Sequence, residues 1–574
     1  MHALDLIALQ EAPGNPPPVD HGLLAWATDG ILLSLLTLAI LAVLLAAALR
    51  SCQRPVILGL LGVMAGSLLL RLTLPVATSF TAWPFQRAVP LALGIYEGPV
   101  LSLLTGWFHG TVYLDDLIFE TNRWMAILSP LVLFLHARKL LRSDGAALAA
   151  AALLAVHPSH LRHSASDVLF IQSIFFSSLA FAALYTALEE SRRWWGIAAA
   201  VAFPFLALVC YQSRPLNILF APLFLAAIVL TTRGHGVPRR NAWIGAAAIV
   251  ATAAWSIATH LLPRFSGNLR SGLSLRTLEG FWTTFTGPQN IVVNPWITPV
   301  GLMGLMVLGG IVLWRRGGAW RLKLFFLTGW LMAFFVAHGY VPTAEILVVS
   351  RYLLHLATPM ILLAAAGTPL LFQRSRWLAV ALVVYLAAVP FIHGSFIGAV
   401  QYNQQQEKRF LVASREAVPA GCTVLEYASP VENRFGGWFG GFGSRLLRTG
   451  ARVRDGRVER AWPVGIYQSR EADAPLSLEA ALARTEGDSC RYLYRGFECY
   501  IRPAASPRMA AACLQAERTL TLETVASGRF PARSYDVVYS GLDAVEEQPD
   551  RYEDWFNNSG ATIELKLFRI TGRR

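Results

Sequence analysis

Long apolar runs separated by short polar gaps fill the first two thirds of the chain. Most are about 17–21 residues long, which at about 1.5 Å per residue crosses roughly 30 Å of hydrocarbon. We therefore predict about twelve membrane-spanning helices. Their predicted positions are 31–49, 55–71, 122–137, 144–157, 168–187, 194–211, 215–231, 242–262, 298–314, 322–338, 351–371 and 377–393.

After the last apolar run, the pattern changes to shorter apolar stretches interspersed with charged residues. Apolar and polar residues alternate at 422–427 and 562–568, which predicts strands, while 476–486 and 506–518 have helical spacing. About 180 residues are enough for one globular domain. The predicted regions are an N-terminal tail (1–29), a transmembrane domain (30–393) and a soluble α/β domain (394–574).

Basic residues cluster in every second gap between the apolar runs. By the positive-inside rule, these gaps face the cytoplasm. The other segments, including both termini and the loops 72–121, 158–167 and 339–350, are then extracytoplasmic. The basic gaps contain Arg50 and Arg54; Arg138, Lys139 and Arg142; Arg192 and Arg193; Arg233, Arg239 and Arg240; Arg315, Arg316, Arg321 and Lys323; Arg374 and Arg376.

Composition supports an integral membrane protein. Of 574 residues, 55% are hydrophobic and only 15% are charged, which is more apolar than a soluble domain of this size requires. The formal net charge of +13 would favour a nucleic-acid partner in a soluble protein. Here the cytoplasmic loops hold much of the excess, so we expect no nucleic-acid binding.

Four of the six cysteines lie in the C-terminal region: Cys422, Cys490, Cys499 and Cys513. An extracytoplasmic location permits disulfides there, and four cysteines allow three pairings. The alternative is that all four are buried thiols.

The loop at 158–167 carries the densest polar group on the extracytoplasmic side. His157, His160, Arg162, His163 and Asp167 lie within eleven residues, at the ends of two apolar helices. Polar groups at that depth are costly unless they are satisfied or functional. Arg162 and a histidine could bind a phosphate, whereas the spacing matches no standard metal site. The alternative is a helix-breaking turn in which Asp167 caps the next helix.

A second unusual feature is an arginine that opens an apolar helix on the extracytoplasmic side. Arg351 and Tyr352 follow the 339–350 loop. A lipid phosphate would compensate the arginine, because a guanidinium binds phosphate oxygens in a bidentate fork. The alternative is that the arginine snorkels to lipid headgroups in general.

The first extracytoplasmic loop, 72–121, contains the best general-base candidates. These are Glu97 and the pair Asp115 and Asp116, and an apolar stretch at 100–108 predicts a helix in the membrane interface. For each carboxylate, the alternative is an ordinary solvated loop charge.

Two stretches resemble the polyprenyl-phosphate-dependent glycosyltransferases of the GT-C superfamily, which include protein O-mannosyltransferases and lipid A aminoarabinose transferases. The first stretch runs from Ala137-Arg138-Lys139 through His157-Pro158-Ser159-His160 to Asp167. The second is Arg351-Tyr352-Leu353-Leu354, followed by Pro359 and an Ala- and Leu-rich run. The resemblance rests on the order of the two stretches along the chain and on the side of the membrane where each lies. It covers roughly 55–393.

The resemblance implies transfer of a sugar from a polyprenyl-phosphate donor to a glycan, lipid or protein acceptor at the extracytoplasmic face. A carboxylate would deprotonate the acceptor hydroxyl, and cations would stabilise the departing lipid phosphate. No metal is required if arginines hold a monophosphate. Arg351, with His160 and Arg162, is then the expected phosphate site.

The chain departs from this family in its first extracytoplasmic loop. Members usually place an acidic residue early in that loop as the base, but 72–95 contains no Asp or Glu. Glu97 is the first acidic residue and our expected base, with Asp115, Asp116 and Asp167 as alternatives. A lost activity is the other interpretation.

Three further functions remain open at this point. They are a lipid-linked glycan ligase or polymerase, a non-catalytic membrane protein, and a transporter, although a transporter should carry ionisable residues near the bilayer midplane. Alanine-rich helices and a preference for arginine over lysine favour a bacterial inner membrane.

Overall fold

A computed structural model describes most of the membrane region and the strands of the C-terminal region. The described residues are 30–74, 112–164, 170–213, 215–235, 237–261, 294–295, 297–338, 354–398, 410–411, 413–414, 417–419, 421–427, 451–454, 457–460, 464–467, 478–485, 490–496, 515–531 and 562–574.

Each of the twelve predicted spans coincides with a helix, so the prediction of a multi-pass helical membrane protein is confirmed. Among the described residues, eight helices are long and apolar enough to cross a membrane. The helices are α1 (Gly30–Leu49), α2 (Arg54–Thr73), α3 (Leu114–Leu141), α4 (Asp144–Ala155), α5 (Pro158–Arg162), α6 (Phe170–Glu189), α7 (Trp194–Ser213), α8 (Phe220–His235), α9 (Arg239–Ser256), α10 (Val300–Arg316), α11 (Gly318–His338), α12 (Leu354–Arg374), α13 (Arg376–Ile392) and α14 (Gly394–Gly398).

The span predicted at 144–157 is shorter than expected. Helix α4 has 12 residues, about 18 Å of helix, which does not cross the hydrocarbon by itself. Ser143 caps its first turn by accepting a hydrogen bond from the Ala146 amide. The helix stops before Pro158, which has no amide hydrogen to continue the ladder and instead begins α5.

Helices α10 and α12 cross with their backbones in contact. A Cβ atom built on Gly309 would lie 1.7 Å from the carbonyl oxygen of Leu363, and one built on Gly367 would lie 2.8 Å from the amide nitrogen of Gly309. Small residues allow this approach, because membrane helices associate through van der Waals packing rather than through the hydrophobic effect.

We expect Gly309→Val to separate these two helices and to lower the free energy of unfolding by about 1–3 kcal/mol, as overpacked cores do. The measurement is unfolding of the purified protein in detergent. Gly304→Val is the matched control on the same helix, since a Cβ atom there has no neighbour within 4 Å. Equal stability of the two variants would contradict the predicted clash.

The C-terminal region contains a mixed sheet, as the alternating segments predicted. The strands among the described residues are β1 (Val112–Tyr113), β2 (Thr423–Tyr427), β3 (Ala451–Arg454), β4 (Arg457–Arg460), β5 (Val464–Tyr467), β6 (Arg491–Arg495), β7 (Leu520–Pro531) and β8 (Thr562–Arg573). In the order β5-β2-β6-β8-β7, β2 is parallel to both its neighbours, while β8 is antiparallel to β6 and β7.

The core of this region lies between the sheet and helix α15 (Leu478–Arg484). Leu482 packs with Leu425 of β2, Leu493 of β6 and Phe568 of β8, all of them buried. The predicted helix at 476–486 is confirmed. The one predicted at 506–518 lies mostly outside the described residues. The structure thus contains a C-terminal sheet domain, as the pattern predicts.

One of the three possible cysteine pairings is realised in this region. Cys422 and Cys490, which immediately precede β2 and β6, form a disulfide. Because β2 and β6 are adjacent parallel strands, the residues before them lie side by side at one edge of the sheet. Cys499 and Cys513 lie outside the described residues.

The chain divides into two compact units. One contains 29–76 and 119–399, and therefore the membrane helices, while the other contains the C-terminal region from Val400 to Arg574 together with β1, which pairs with β3.

Candidate functional site

Buried polar side chains lie where α2, α4 and α5 end, at the opposite end of these helices from the basic loops. We call Arg71, His157, His160, Arg162 and His163 the α5 cluster. Each of these side chains is at most 4% exposed. The segment predicted as a loop at 158–167 is helical from Pro158 to Arg162, which turns these side chains into the protein instead of presenting them to solvent.

Arg71 connects three elements. Its guanidinium donates to the Ser67 hydroxyl at 2.9 Å and, on α4, to the carbonyl oxygens of Ala155 at 3.0 Å and Leu154 at 3.4 Å. It also lies 2.6 Å from Nδ1 of His160 on α5. All these partners are uncharged, so Arg71 is a buried cation with no carboxylate partner among the residues that the structure describes.

The Arg71 contact fixes the tautomer of His160. A guanidinium can only donate, so Nδ1 of His160 must accept and its proton must sit on Nε2. That Nε2 is buried and has no hydrogen-bond partner within the described ranges. The same is true of both ring nitrogens of His157. The α5 cluster therefore contains a donor, His160 Nε2–H, that can serve a ligand oxygen.

His160 is neutral at neutral pH. Burial lowers the pKa of His160 well below its usual value, and Arg71 lowers it further. At this contact the positive charge accordingly resides on Arg71.

Arg162 holds α5 against α14. Its guanidinium donates to the carbonyl oxygen of Phe396 at 2.5 Å and lies over the ring of that residue, 5.2 Å from the centroid. At the end of α5, the Ser164 hydroxyl donates to the Leu161 carbonyl oxygen at 2.6 Å. These contacts position α5 at the end of the membrane helices.

The structure brings together four of the predicted site residues, namely His157, His160, Arg162 and His163. Asp115 and Asp116 lie in the first turn of α3, where a loop was expected, and only their backbone is described. The predicted candidates that lie outside the described residues are Glu97, Asp167, Arg351 and Tyr352.

Arg71 was not among the residues predicted from the sequence. The signal was present, because Arg71 lies within the otherwise apolar helix α2, at its end far from the basic loops. Like Arg351, Arg71 is a cation on the side of the membrane that lacks basic clusters.

No metal centre is evident in the part of the chain that the structure describes. That part contains no group of three or more His, Cys, Asp or Glu side chains placed to hold a metal ion. Within the α5 cluster, Arg71 occupies Nδ1 of His160, so this nitrogen is not available as a ligand.

The fold and the α5 cluster together define a multi-pass membrane protein with a buried cationic site at one end of its helices. Neither a family model nor a characterised protein sequence matches the chain. Among solved structures, it is similar to the oligosaccharyltransferase of Archaeoglobus fulgidus.

Three forms of that enzyme illustrate the extent of the similarity. The AglB complex with an inhibitory peptide and a dolichol-phosphate shares 13% identity over 85% of this chain and 73% of that one, with a TM-score of 0.44. The apo form shares 12% identity over 84% of this chain and 74% of that one, with a TM-score of 0.43. The complex with Zn and sulfate shares 15% identity over 62% of this chain, which spans about half (51%) of that structure, with a TM-score of 0.39.

Proposed function

We propose that this protein is a membrane glycosyltransferase that moves a sugar from a polyprenyl-phosphate-linked donor to an acceptor at the extracytoplasmic face. The observation that carries the proposal is Arg71, a fully buried cation with uncharged partners. A buried charge is costly unless an opposite charge compensates it. The phosphate of a membrane lipid would supply that charge at the end of the membrane helices.

In this proposal, the α5 cluster binds the lipid phosphate and stabilises it as it leaves. His160 donates from Nε2 to a phosphate oxygen, and Arg71 contributes positive charge from behind it. Arg162 keeps α5 in place through Phe396, and His157 and His163 complete the wall of the site. His160 acts as a neutral donor, because Arg71 donates to its Nδ1 and its proton lies on Nε2.

Arg351 and Tyr352 complete the phosphate site in the proposal. His355, four residues after Arg351, packs against the ring of Phe170 at 4.8 Å between centroids. Phe170 follows Asp167 by three residues. This contact supports placing the Arg351 segment beside the segment that follows the α5 cluster.

The reaction requires a base on the acceptor side. Glu97 takes the proton of the acceptor hydroxyl as its oxygen forms a bond to the anomeric carbon of the sugar. The bond from that carbon to the phosphate oxygen breaks, and its electron pair leaves with the lipid phosphate. Asp115, Asp116 and Asp167 are the alternative bases, and no metal is needed for this step.

We further propose that the protein lies in a bacterial inner membrane, with 1–29 and 394–574 outside and 30–393 forming the transmembrane domain. The Cys422–Cys490 disulfide supports an oxidising compartment for the C-terminal domain. A lipid-linked glycan ligase or polymerase would use the same site. A non-catalytic role is favoured only by the absence of an acidic residue in 72–95.

Binding of polyprenyl monophosphate to the protein in nanodiscs tests the phosphate site. We expect His160→Gln and Arg351→Ala each to weaken binding by about 1.5–3 kcal/mol, the range for a hydrogen bond that involves a charged group. Arg351→Lys should restore binding only in part, because an ammonium keeps the charge and loses the fork.

The matched control is His136→Gln. His136 is a buried histidine of α3 that stacks on Phe181 with 4.8 Å between ring centroids, outside the α5 cluster. It should bind the lipid like the wild type. Unchanged binding in both His160→Gln and Arg351→Ala would refute the phosphate site.

A further inference from the structure

We propose a second lipid site at the other end of the membrane helices, which binds the headgroup of an anionic phospholipid. A cavity of about 410 Å³ lies between α1, α3 and α6 and the loop that follows α6. That volume lies in the range typical of small-molecule sites. The inference is independent of the proposed glycosyl transfer, because it uses none of the residues of the α5 cluster.

The inner part of the cavity is apolar. Its lining includes Leu44, Ala47 and Ala48 of α1, Leu135 of α3 and Ala182 of α6. Small side chains predominate, so the helices leave room between them at this level. An apolar lining between membrane helices suits the first methylene groups of an acyl chain rather than a fully hydrated solute.

The rim of the cavity is charged and carries an excess of cations. Four cations line it, together with two carboxylates, those of Glu189 and Glu190. The lining therefore has an excess of two positive charges. Of the flanking groups, Arg142 pairs with Glu189 at 2.9 Å and Asp144 with Arg138, while Arg50 lies over the Trp195 ring. The four lining cations are Arg138, Lys139, Arg192 and Arg193.

Ion pairs fix the inner part of the rim. Lys139 pairs with Glu190 and lies 3.4 Å from Glu189, while Arg138 pairs with Asp144 at 2.6 Å. Burial raises the pKa of Glu190, but hydrogen bonds from Lys139 and Trp195 outweigh burial and lower the pKa below its ordinary value. Glu190 is therefore ionised and holds Lys139 in place.

The outer part of the rim remains available to an anion. Within the described residues, the exposed Arg192 makes no hydrogen bond or ion pair. Arg193 lies over the ring of Trp195 at 5.1 Å and 3.5 Å from Glu190, and Arg50 lies over the same ring at 5.2 Å. Basic residues and an aromatic ring around an apolar cavity, on the side that the charge pattern predicts to be cytoplasmic, match an anionic headgroup with its chain.

Native mass spectrometry of the full-length protein, released from nanodiscs of mixed phosphatidylglycerol and phosphatidylcholine, tests this site. The wild type should retain phosphatidylglycerol in preference to phosphatidylcholine. Replacing both Arg192 and Arg193 with alanine should lower the retained phosphatidylglycerol roughly ten- to thirtyfold. Each of the two cations near the membrane surface adds a similar increment to the affinity for an anionic lipid. Ala47→Phe should lower it as well, by filling the apolar part.

The control removes the same charge elsewhere on the same side. Arg315→Ala combined with Arg374→Ala deletes two exposed cations that do not line the cavity, and it should lower retention much less than the loss of Arg192 and Arg193. Arg192→Ala alone serves if the double variant is unstable, because Arg192 is exposed and makes no hydrogen bond or ion pair with the described part of the chain.

Two results would overturn the proposal. The first is equal loss of phosphatidylglycerol in the Arg192 and Arg193 variant and in the Arg315 and Arg374 control. The second is displacement of the lipid by free glycerol 3-phosphate at the concentration at which phosphatidylglycerol itself competes. That would show a site for the phosphate alone. If the wild-type protein retained phosphatidylglycerol but transferred no sugar, that result would contradict only the proposed glycosyl transfer.

Discussion

Replacing Arg71 with glutamine should both destabilise the membrane unit and abolish binding of the lipid phosphate. Arg71 donates to carbonyl oxygens of α4 and to His160 of α5, and its loss leaves these buried acceptors without their donor. Two hydrogen bonds from a charged donor contribute about 3–6 kcal/mol together. Unfolding by SDS titration in detergent measures the first effect, and polyprenyl monophosphate binding in nanodiscs measures the second.

Arg54→Gln is the matched control for Arg71→Gln, because it makes the same chemical change at the exposed start of the same helix. It should leave both measurements at the wild-type value. Arg71→Lys should recover part of the lipid binding, since the charge remains, but little of the stability, since one ammonium cannot reach all the acceptors. Wild-type stability of Arg71→Gln would contradict the bridging role, and wild-type lipid binding would contradict the proposed phosphate site.

The membrane helices could be predicted closely because their signal is local. Each apolar run reflects only the passage of that segment through the membrane, and each basic gap reflects only the side on which it lies. Each predicted span coincides with a helix. The prediction was weakest at 144–157, where Pro158 divides the crossing into α4 and α5. A proline after an apolar run indicates where a helix ends, but not that a second short helix begins at that residue.

The candidate site was harder to predict than the helices, because it depends on contacts between distant segments. His157, His160 and Arg162 were found from their density along the chain. Arg71 is 89 residues away from His160 in sequence, and no local pattern joins the two. The tautomer of His160, and hence the donor it offers, follows only from that contact.

The C-terminal region shows the same division between local and distant signals. Strands β2 and β8 were predicted from alternation, because one face of each packs against the core. The Cys422–Cys490 pairing could not be predicted, since four cysteines allow three pairings and the parallel alignment of β2 with β6 decides between them.

The two ends of the membrane unit differ in how their cations are paired and buried, and both proposals rest on this difference. At the basic end, Lys139 and Arg138 are paired with carboxylates, so the remaining cations at the rim can attract an anion from the membrane surface. At the other end, Arg71 is fully buried, and the partners that the described residues offer it are uncharged. A partly exposed excess charge favours reversible lipid contact, whereas a buried one favours a specific anion held away from water.

Glu97→Gln should leave polyprenyl phosphate binding intact and lower sugar transfer by about 10²–10⁴-fold, the contribution typical of a general base. An amide has nearly the shape of the carboxylate but cannot accept the acceptor's proton, so binding and chemistry separate in this variant. Transfer from a polyprenyl-phosphate sugar in nanodiscs is the measurement. Asp115→Asn, Asp116→Asn and Asp167→Asn are the matched substitutions at the alternative positions.

The comparison among these four variants assigns the base. Glu97 is the first carboxylate of a loop whose initial segment, 72–95, contains none, so a base that acts from that loop must lie at Glu97 or beyond it. Full activity of Glu97→Gln with loss in one of the aspartate variants would move the role to that aspartate. If all four variants transferred sugar at the wild-type rate, no base would act from these positions, and the mechanism proposed here would be wrong even with the lipid site intact.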